Sequence, residues 1–221
     1  MRTPYNRIAG QSLERLAALS DGIFAIAITL LVLDLRIPVN EIIHPPQPLW
    51  ANGAIQSEQV LLDVLVRLAP RLLAYLMSFL TLGIFWIGQQ TQLNQFERSD
   101  RNLAWIHLAF LCGVSLLPFS TGLLAEYITY RLALVVYWLN LLLLGVMLFR
   151  SWRYARRAGL LKAESPDEMY HATERRIVLY QVLYAFGLLL CVINTYVSIV
   201  FIVLLQLNSA VAPRVRLLDW F

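Results

Sequence analysis

Long apolar blocks separated by short polar segments are the feature of this sequence that most constrains its fold. The first block runs from about Leu16 to Ile37, close to the roughly 20 residues that a helix needs to cross the hydrocarbon core of a bilayer. A soluble helical protein would show polar stripes within such blocks, and these blocks lack them. Only 14% of the residues are charged, against about a quarter in soluble domains. The sequence therefore predicts an all-α integral membrane protein.

The blocks divide the chain into six predicted transmembrane helices within a single domain, residues 1–221. Several prolines between Pro38 and Pro48 exclude a continuous helix after the first block. The last apolar stretch, Ile177 to Val211, is too long for one helix and just long enough for two, so we divide it near Asn194. The predicted spans are approximately 16–37, 68–88, 103–125, 132–149, 175–192 and 195–211.

The distribution of lysine and arginine predicts the orientation. With six spans and a cytoplasmic N-terminus, 14 of the 18 basic residues lie inside and 4 outside, whereas five spans would give 12 against 6. Both termini and the segment 150–176 are therefore predicted to be cytoplasmic. Acidic residues such as Glu164 and Glu168 interleave with the arginines of this segment. This mixture argues against a nucleic-acid partner and for contact with anionic lipid head groups.

The sequence has no pattern typical of an enzyme or a metal site. Its three histidines are scattered, and Cys112 and Cys191 lie within apolar blocks, where a cysteine is usually a small buried hydrophobe. It contains no Walker loop, dinucleotide fingerprint, zinc-protease motif or nucleophile elbow. We therefore expect no catalytic activity, no cofactor and no metal. A proton- or cation-coupled secondary transporter stays open, although the internal repeats of such transporters are not visible.

The first block combines charged and apolar residues in an unusual way. Arg15, Ser20 and Asp21 lie where the helix enters the membrane, and a charge near the centre of a span costs roughly 3 kcal/mol. These groups therefore need protein partners or water, and His107, Trp86 or Trp105 are candidate partners for Asp21. Helical periodicity places one set of residues on a common face: Gly22, Ile26, Thr29, Leu30 and Leu33. Ser20 and Asp21 point away from that face. Periodicity alone does not decide whether lipid, another helix or a pore lies against it.

The stretch that begins at Arg15 and passes through Ser20 and Asp21 resembles the RxxxFSD signature of the transmembrane protein 175 family. This family contains endosomal and lysosomal potassium channels and their bacterial relatives. Two further stretches, 78–87 and 114–121, are similar to the family, so the resemblance covers the first three spans. Leu19 replaces the usual phenylalanine and keeps an apolar contact. A Gln89-Gln90 pair stands where many members have two histidines, which argues against a role for these positions in the polar network.

The resemblance implies a homotetrameric potassium channel in the cell membrane of a prokaryote, with passive conduction. It implies a fold of six transmembrane helices per subunit, unlike the channels with a TVGYG filter, a motif that this sequence lacks. The first helix would line the pore, with an apolar constriction at Ile26, Leu30 and Leu33. Thr29 would add a polar selectivity layer, unless its hydroxyl only bonds its own backbone. The structural polar motif would be Arg15, Ser20 and Asp21. The expected partners are further copies of the chain, membrane lipid and permeant potassium ions.

Overall fold

The computed structural model describes residues 12–33, 35, 50, 54–163 and 167–211, and these form a bundle of helices. The one β-bridge among them joins Phe96 to Leu161. A 3₁₀ turn, Leu190–Val192, lies between the last two helices. The α-helices are α1 (Leu13–Leu33), α2 (Ala54–Arg67), α3 (Ala69–Gln95), α4 (Arg101–Glu126), α5 (Arg131–Arg157), α6 (Asp167–Leu189) and α7 (Thr195–Val211).

Five of these helices, α1, α3, α4, α5 and α6, are long and apolar enough to cross a membrane. The shorter α7 has 17 residues and coincides with the predicted sixth span. Its length is about 26 Å at 1.5 Å per residue, slightly less than a bilayer core. The other helices extend beyond their apolar blocks, because helical backbone continues into polar sequence at their ends. The C-terminal end of the predicted first span, after residue 33, lies largely outside the described residues.

The helix α2 was not predicted from the sequence. Its apolar residues follow helical spacing over only four turns, and Leu62, Leu65 and Val66 remain exposed beside Asp63 and Arg67. A segment this short and mixed gives no transmembrane signal. It packs against the start of α3. The helix α3 begins at Ala69, and Pro70 lies in its first turn. A proline is tolerated there because backbone N–H groups of the first turn have no acceptor within the helix. The prolines between residues 38 and 48 lie outside the described residues.

The helices pack around one extended apolar core. The helix α1 lies against α3 and α4, α5 lies against α4 and α6, and α7 closes the bundle against α3 and α6. Near residue 194 the chain reverses where the sequence analysis divided its last apolar stretch. There the Asn194 side chain accepts a hydrogen bond from the backbone N–H of Tyr196 at 2.7 Å, which caps the start of α7. Gly187 permits close approach, because a Cβ there would lie 2.9 Å from the Phe201 ring.

A polar cluster inside the bundle ties α7 to the other helices. The Gln206 side chain donates to Thr81 Oγ1 at 2.7 Å, and Thr81 Oγ1 lies 2.9 Å from the Tyr137 hydroxyl. Thr121 donates to Ser78 Oγ at 2.7 Å in the same cluster. Side-chain hydrogen bonds of this kind are a main source of specific helix contacts where no hydrophobic effect drives helix association.

A second, smaller core fixes the segment between α5 and α6. Phe96 and Leu160 are buried in it, and the Trp152 and Tyr170 rings stack with their centroids 5.5 Å apart. The Arg156 guanidinium lies 3.9 Å from the Tyr170 centroid, within cation–π range. Two backbone hydrogen bonds, from Glu97 N to Leu160 O and from Lys162 N to Gln95 O, join this segment to the end of α3. The predicted cytoplasmic segment 150–176 is therefore partly folded and packs against the end of α3.

We predict that a cysteine at Lys162, which is exposed, is inaccessible to a membrane-impermeant maleimide in intact cells, because the charge bias places segment 150–176 inside. The background should lack the native Cys112 and Cys191. Labelling should appear after permeabilisation. Tyr130→Cys, at the opposite end of α5, is the matched control and should label without permeabilisation. Efficient labelling at 162 in intact cells would contradict the orientation.

Candidate functional site

The helix α1 has a buried side and an exposed side. Its buried side faces α3 and α4 and consists of Leu16, Ser20, Phe24, Ala27 and Leu31. On the exposed side, Ile26 and Leu33 keep 60% and 61% of their surface, and Leu30 keeps 43%. Large exposed apolar residues occur on the other helices as well, as expected where lipid covers the surface, so exposure alone does not separate a lipid-facing side from a contact or pore side. The stripe of Ile26, Leu30 and Leu33 matches the face that helical periodicity predicts.

Asp21 is held by two side chains from α3. Its Oδ1 accepts hydrogen bonds from Trp86 Nε1 and Gln90 Nε2, both at 2.8 Å. Trp86 was one of the partners that the sequence suggested, whereas Trp105 stays exposed. Hydrogen bonds to a carboxylate are stronger than those between neutral groups. Asp21 remains exposed in the single chain, at the edge between α1 and α3. The pair of bonds therefore fixes the rotation of α1 relative to α3.

Ser20 begins a buried chain of hydrogen bonds that crosses four helices. Its hydroxyl donates to Oε1 of Gln89 in α3. Gln89 Nε2 lies 3.2 Å from Nδ1 of His107 in α4, and His107 Nε2 lies 3.0 Å from Ser151 Oγ in α5. All four side chains are almost completely buried. His107, suggested as a partner of Asp21, instead bridges Gln89 and Ser151. This chain of hydrogen bonds fixes the axial position of α1 relative to the rest of the bundle.

Arg15 and Thr29 lie on the exposed side of α1. Among the described residues, no hydrogen bond joins the Arg15 side chain to Ser20 or Asp21, so within one subunit the structure brings together only two of the three predicted motif residues. The Thr29 hydroxyl donates to the backbone oxygen of Ile26 at 2.8 Å. That bond uses the proton only. The lone pairs of the hydroxyl oxygen remain available to a cation.

Three residues of these networks, Gln89, Gln90 and Ser151, were not predicted from the sequence. The expectation that the glutamine pair has no role in the polar network was wrong: Gln89 accepts a hydrogen bond from Ser20, and Gln90 donates one to Asp21. A signal was present. Two consecutive amides at the end of an apolar block point about 100° apart on a helix. One can therefore turn inward while the other reaches along the surface. Ser151 follows Arg150 and carried no comparable signal.

Comparison with known proteins relates this geometry to a family. Residues 15–118 match the family described as endosomal/lysosomal potassium channel TMEM175. A potassium channel of Chamaesiphon minutus is 33% identical over 156 residues, which cover 69% of this chain and 70% of that protein. The chain belongs to the TMEM175 family. The resemblance stated from the sequence is confirmed, and the chain is a member of a family of membrane cation channels.

Other TMEM175 relatives extend the comparison. A potassium channel of Streptomyces collinus is 33% identical over 151 residues, 66% of each chain. A chicken protein, named an endosomal/lysosomal proton channel TMEM175, is 29% identical over 116 residues, which make up 22% of its length. The crystal structure of a lysosomal potassium-selective channel TMEM175 homolog from Chamaesiphon minutus matches with a TM-score of 0.73 and 27% identity, and covers 91% of this chain and 98% of that one. The shared TMEM175 fold therefore continues beyond the first three predicted spans.

For this TMEM175 chain we predict that Asp21→Ala lowers the temperature at which the purified protein loses its monodisperse size-exclusion peak. Removing the acceptor breaks the hydrogen bonds from Trp86 and Gln90, and because this edge is exposed we expect a cost of about 1 kcal/mol. Asp21→Asn keeps one acceptor oxygen and should lose less. Glu14→Ala, an exposed acid in the first turn of the same helix, is the control and should match wild type. A wild-type profile for Asp21→Ala would contradict a structural role.

Proposed function

We propose that this protein is a potassium-permeable cation channel, a homotetramer of six-transmembrane-helix subunits whose pore is lined by α1. The exposed stripe of Ile26, Leu30 and Leu33 carries the proposal. The opposite side of the same helix is fixed by Ser20 and Asp21, so the stripe is presented in a defined direction. Membership in a family of cation channels supports assigning this exposed stripe to the wall of an ion pore.

Assembly follows from geometry. A single helix cannot enclose an aqueous path, so several copies of α1 must surround a common axis. Four copies are proposed, on the pattern that the family resemblance implies. Asp21 remains exposed at the edge of α1 in the isolated chain, so a neighbouring subunit would shield it from lipid. Native mass spectrometry of the protein in detergent reads the copy number directly, and a monomer or trimer as the sole species would contradict the tetramer.

The proposed pore combines apolar rings with one polar layer. Rings of Ile26, Leu30 and Leu33 side chains would resist wetting and limit the flow of ions. Backbone carbonyls cannot serve as ligands because the helix already uses them. Thr29 contributes the oxygen between these rings, and its acceptor lone pairs stay available. Potassium holds its water less tightly than sodium, so partial dehydration at a hydroxyl ring would favour potassium.

We predict that Ile26→Ala raises the unitary conductance of purified protein in planar bilayers, because a smaller side chain widens the constriction and weakens its dewetting. We expect the conductance to rise two- to tenfold, which corresponds to a free-energy barrier to ion passage that is lower by roughly 0.4–1.4 kcal/mol. Val32→Ala is the matched control: Val32 is 49% exposed on α1 but lies away from the stripe. An unchanged conductance in Ile26→Ala, or an equal rise in both variants, would argue that this face does not line the pore. Unitary currents also distinguish a channel from a coupled transporter.

We predict that Thr29→Val reduces the reversal-potential shift under potassium/sodium bi-ionic conditions while current persists. The substitution keeps the shape and removes the oxygen. Ser115→Ala is a matched control, since Ser115 Oγ makes the same bond to the carbonyl three residues earlier, at 2.8 Å, but in α4. A wild-type potential in Thr29→Val would show that the hydroxyl serves only its own backbone. The same recordings under a proton gradient test whether protons, the ion named for the animal relatives, also pass through this protein.

A further inference from the structure

A cavity of about 300 Å³ lies between α3, α5, α6 and α7, and neither α1 nor α4 contributes to its lining. This volume is at the lower end of ligand-binding cavities, roughly 300–1,000 Å³. Phe79, Leu80 and Ile84 of α3 form an apolar part of its wall, and Gln92 and Arg176 give it a polar part. The cavity is thus amphipathic and separate from the proposed pore.

The wall contains buried polar atoms that lack partners. Among the described residues, Oε1 of Gln92 and Oε1 of Gln181 have no hydrogen bond. The Gln181 Nε2 reaches only the Leu141 carbonyl, at 3.4 Å. Its side chain lies directly over Gly145, where a Cβ would overlap it, so the amide is held against the wall. Unpaired polar groups in an apolar interior are costly. The unpaired amide oxygens are acceptors, so a hydrogen-bond donor completes this wall.

Positive charge lies at the rim. Arg176 lines the cavity, and its guanidinium is 5.9 Å from the Tyr180 centroid. It follows a segment rich in arginine that the charge bias places at the cytoplasmic surface, where anionic lipids attract basic residues. From Arg176 to Tyr184 the helix descends about 12 Å, within half the thickness of a bilayer core. The charge of Arg176 on α6 thus lies at the predicted cytoplasmic end of a cavity whose apolar wall comes from α3.

We propose that this cavity binds one acyl chain of an anionic phospholipid from the cytoplasmic leaflet. The phosphate pairs with Arg176. The unpaired amide oxygens of Gln92 and Gln181 accept hydrogen bonds from hydroxyl groups of a glycerol head group or from water that enters with it, since the ester oxygens of a lipid are themselves acceptors. The chain then continues along Phe79, Leu80 and Ile84. A free phosphate would leave the apolar wall empty, and a neutral lipid would leave Arg176 without its counter-charge. The inference rests on the proposed orientation and not on the pore, because binding is measured without ion current.

Native mass spectrometry of the assembled protein tests the proposal with phosphatidylglycerol and phosphatidylcholine of identical acyl chains. We expect wild type to retain phosphatidylglycerol preferentially. Gly83→Leu should reduce retention at least about tenfold, because a Cβ at Gly83 meets no atom within 4 Å and the new side chain fills the cavity without backbone strain. Arg176→Gln should weaken phosphatidylglycerol binding about fivefold, the factor for one basic residue near an anionic surface. Arg175→Gln, outside the lining, is the control and should match wild type.

Several outcomes would overturn the proposal. Wild-type retention in Gly83→Leu would show that the lipid lies elsewhere, and Thr91→Phe, at the exposed rim, repeats this test if Gly83→Leu fails to assemble. Equal losses in Arg176→Gln and Arg175→Gln would reduce the effect to general surface electrostatics. Full competition by glycerol phosphate would identify a head-group site without an acyl chain. A structure in nanodiscs that shows a neighbouring subunit's side chain in the cavity would contradict lipid binding at this site.

Discussion

The rotational and axial position of α1 is the constraint on which the proposed function depends. Two independent sets of hydrogen bonds fix it: Asp21 to Trp86 and Gln90 at the edge of α3, and Ser20 to Gln89 in the interior. A helix in lipid gains little from burying leucine, because lipid tails are equally apolar. Polar contacts therefore carry much of the orientational information. If α1 rotated by one residue, about 100°, the stripe of Ile26, Leu30 and Leu33 would no longer face the proposed axis.

The internal chain from Ser20 through Gln89 and His107 to Ser151 extends this constraint across the bundle. Each member depends on the next, since breaking one bond leaves a buried polar group unpaired on both sides. Such a network favours a single arrangement of four helices over alternatives that are equally apolar. An amide, like an imidazole, offers a donor and an acceptor in one side chain.

The helix α3 is the common wall of the two sites. Trp86, Gln89 and Gln90 point toward α1 and α4, while Phe79, Ile84 and Gln92 line the cavity shared with α5, α6 and α7. The proposed lipid would thus brace the helix that orients the pore-lining helix. Among the described residues, none from α1 lines the cavity. Any coupling between them would pass through α3, or through α5, which lines the cavity and carries Ser151 at the end of the hydrogen-bond chain from Ser20.

The sequence by itself determined the membrane class, the places of the long apolar helices and the face of α1 that is exposed in the single chain. Apolar block length is set by bilayer thickness, and helical periodicity needs no tertiary information. The RxxxFSD-like motif further identified the family. Only the tertiary structure decided which side chains meet Ser20 and Asp21, because a partner such as Gln89 lies 69 residues away. It also revealed α2, whose short mixed pattern carries no transmembrane signal, and the cavity, whose wall combines four helices. Contacts between distant segments depend on packing angles and depth, which a linear pattern of polarity does not contain.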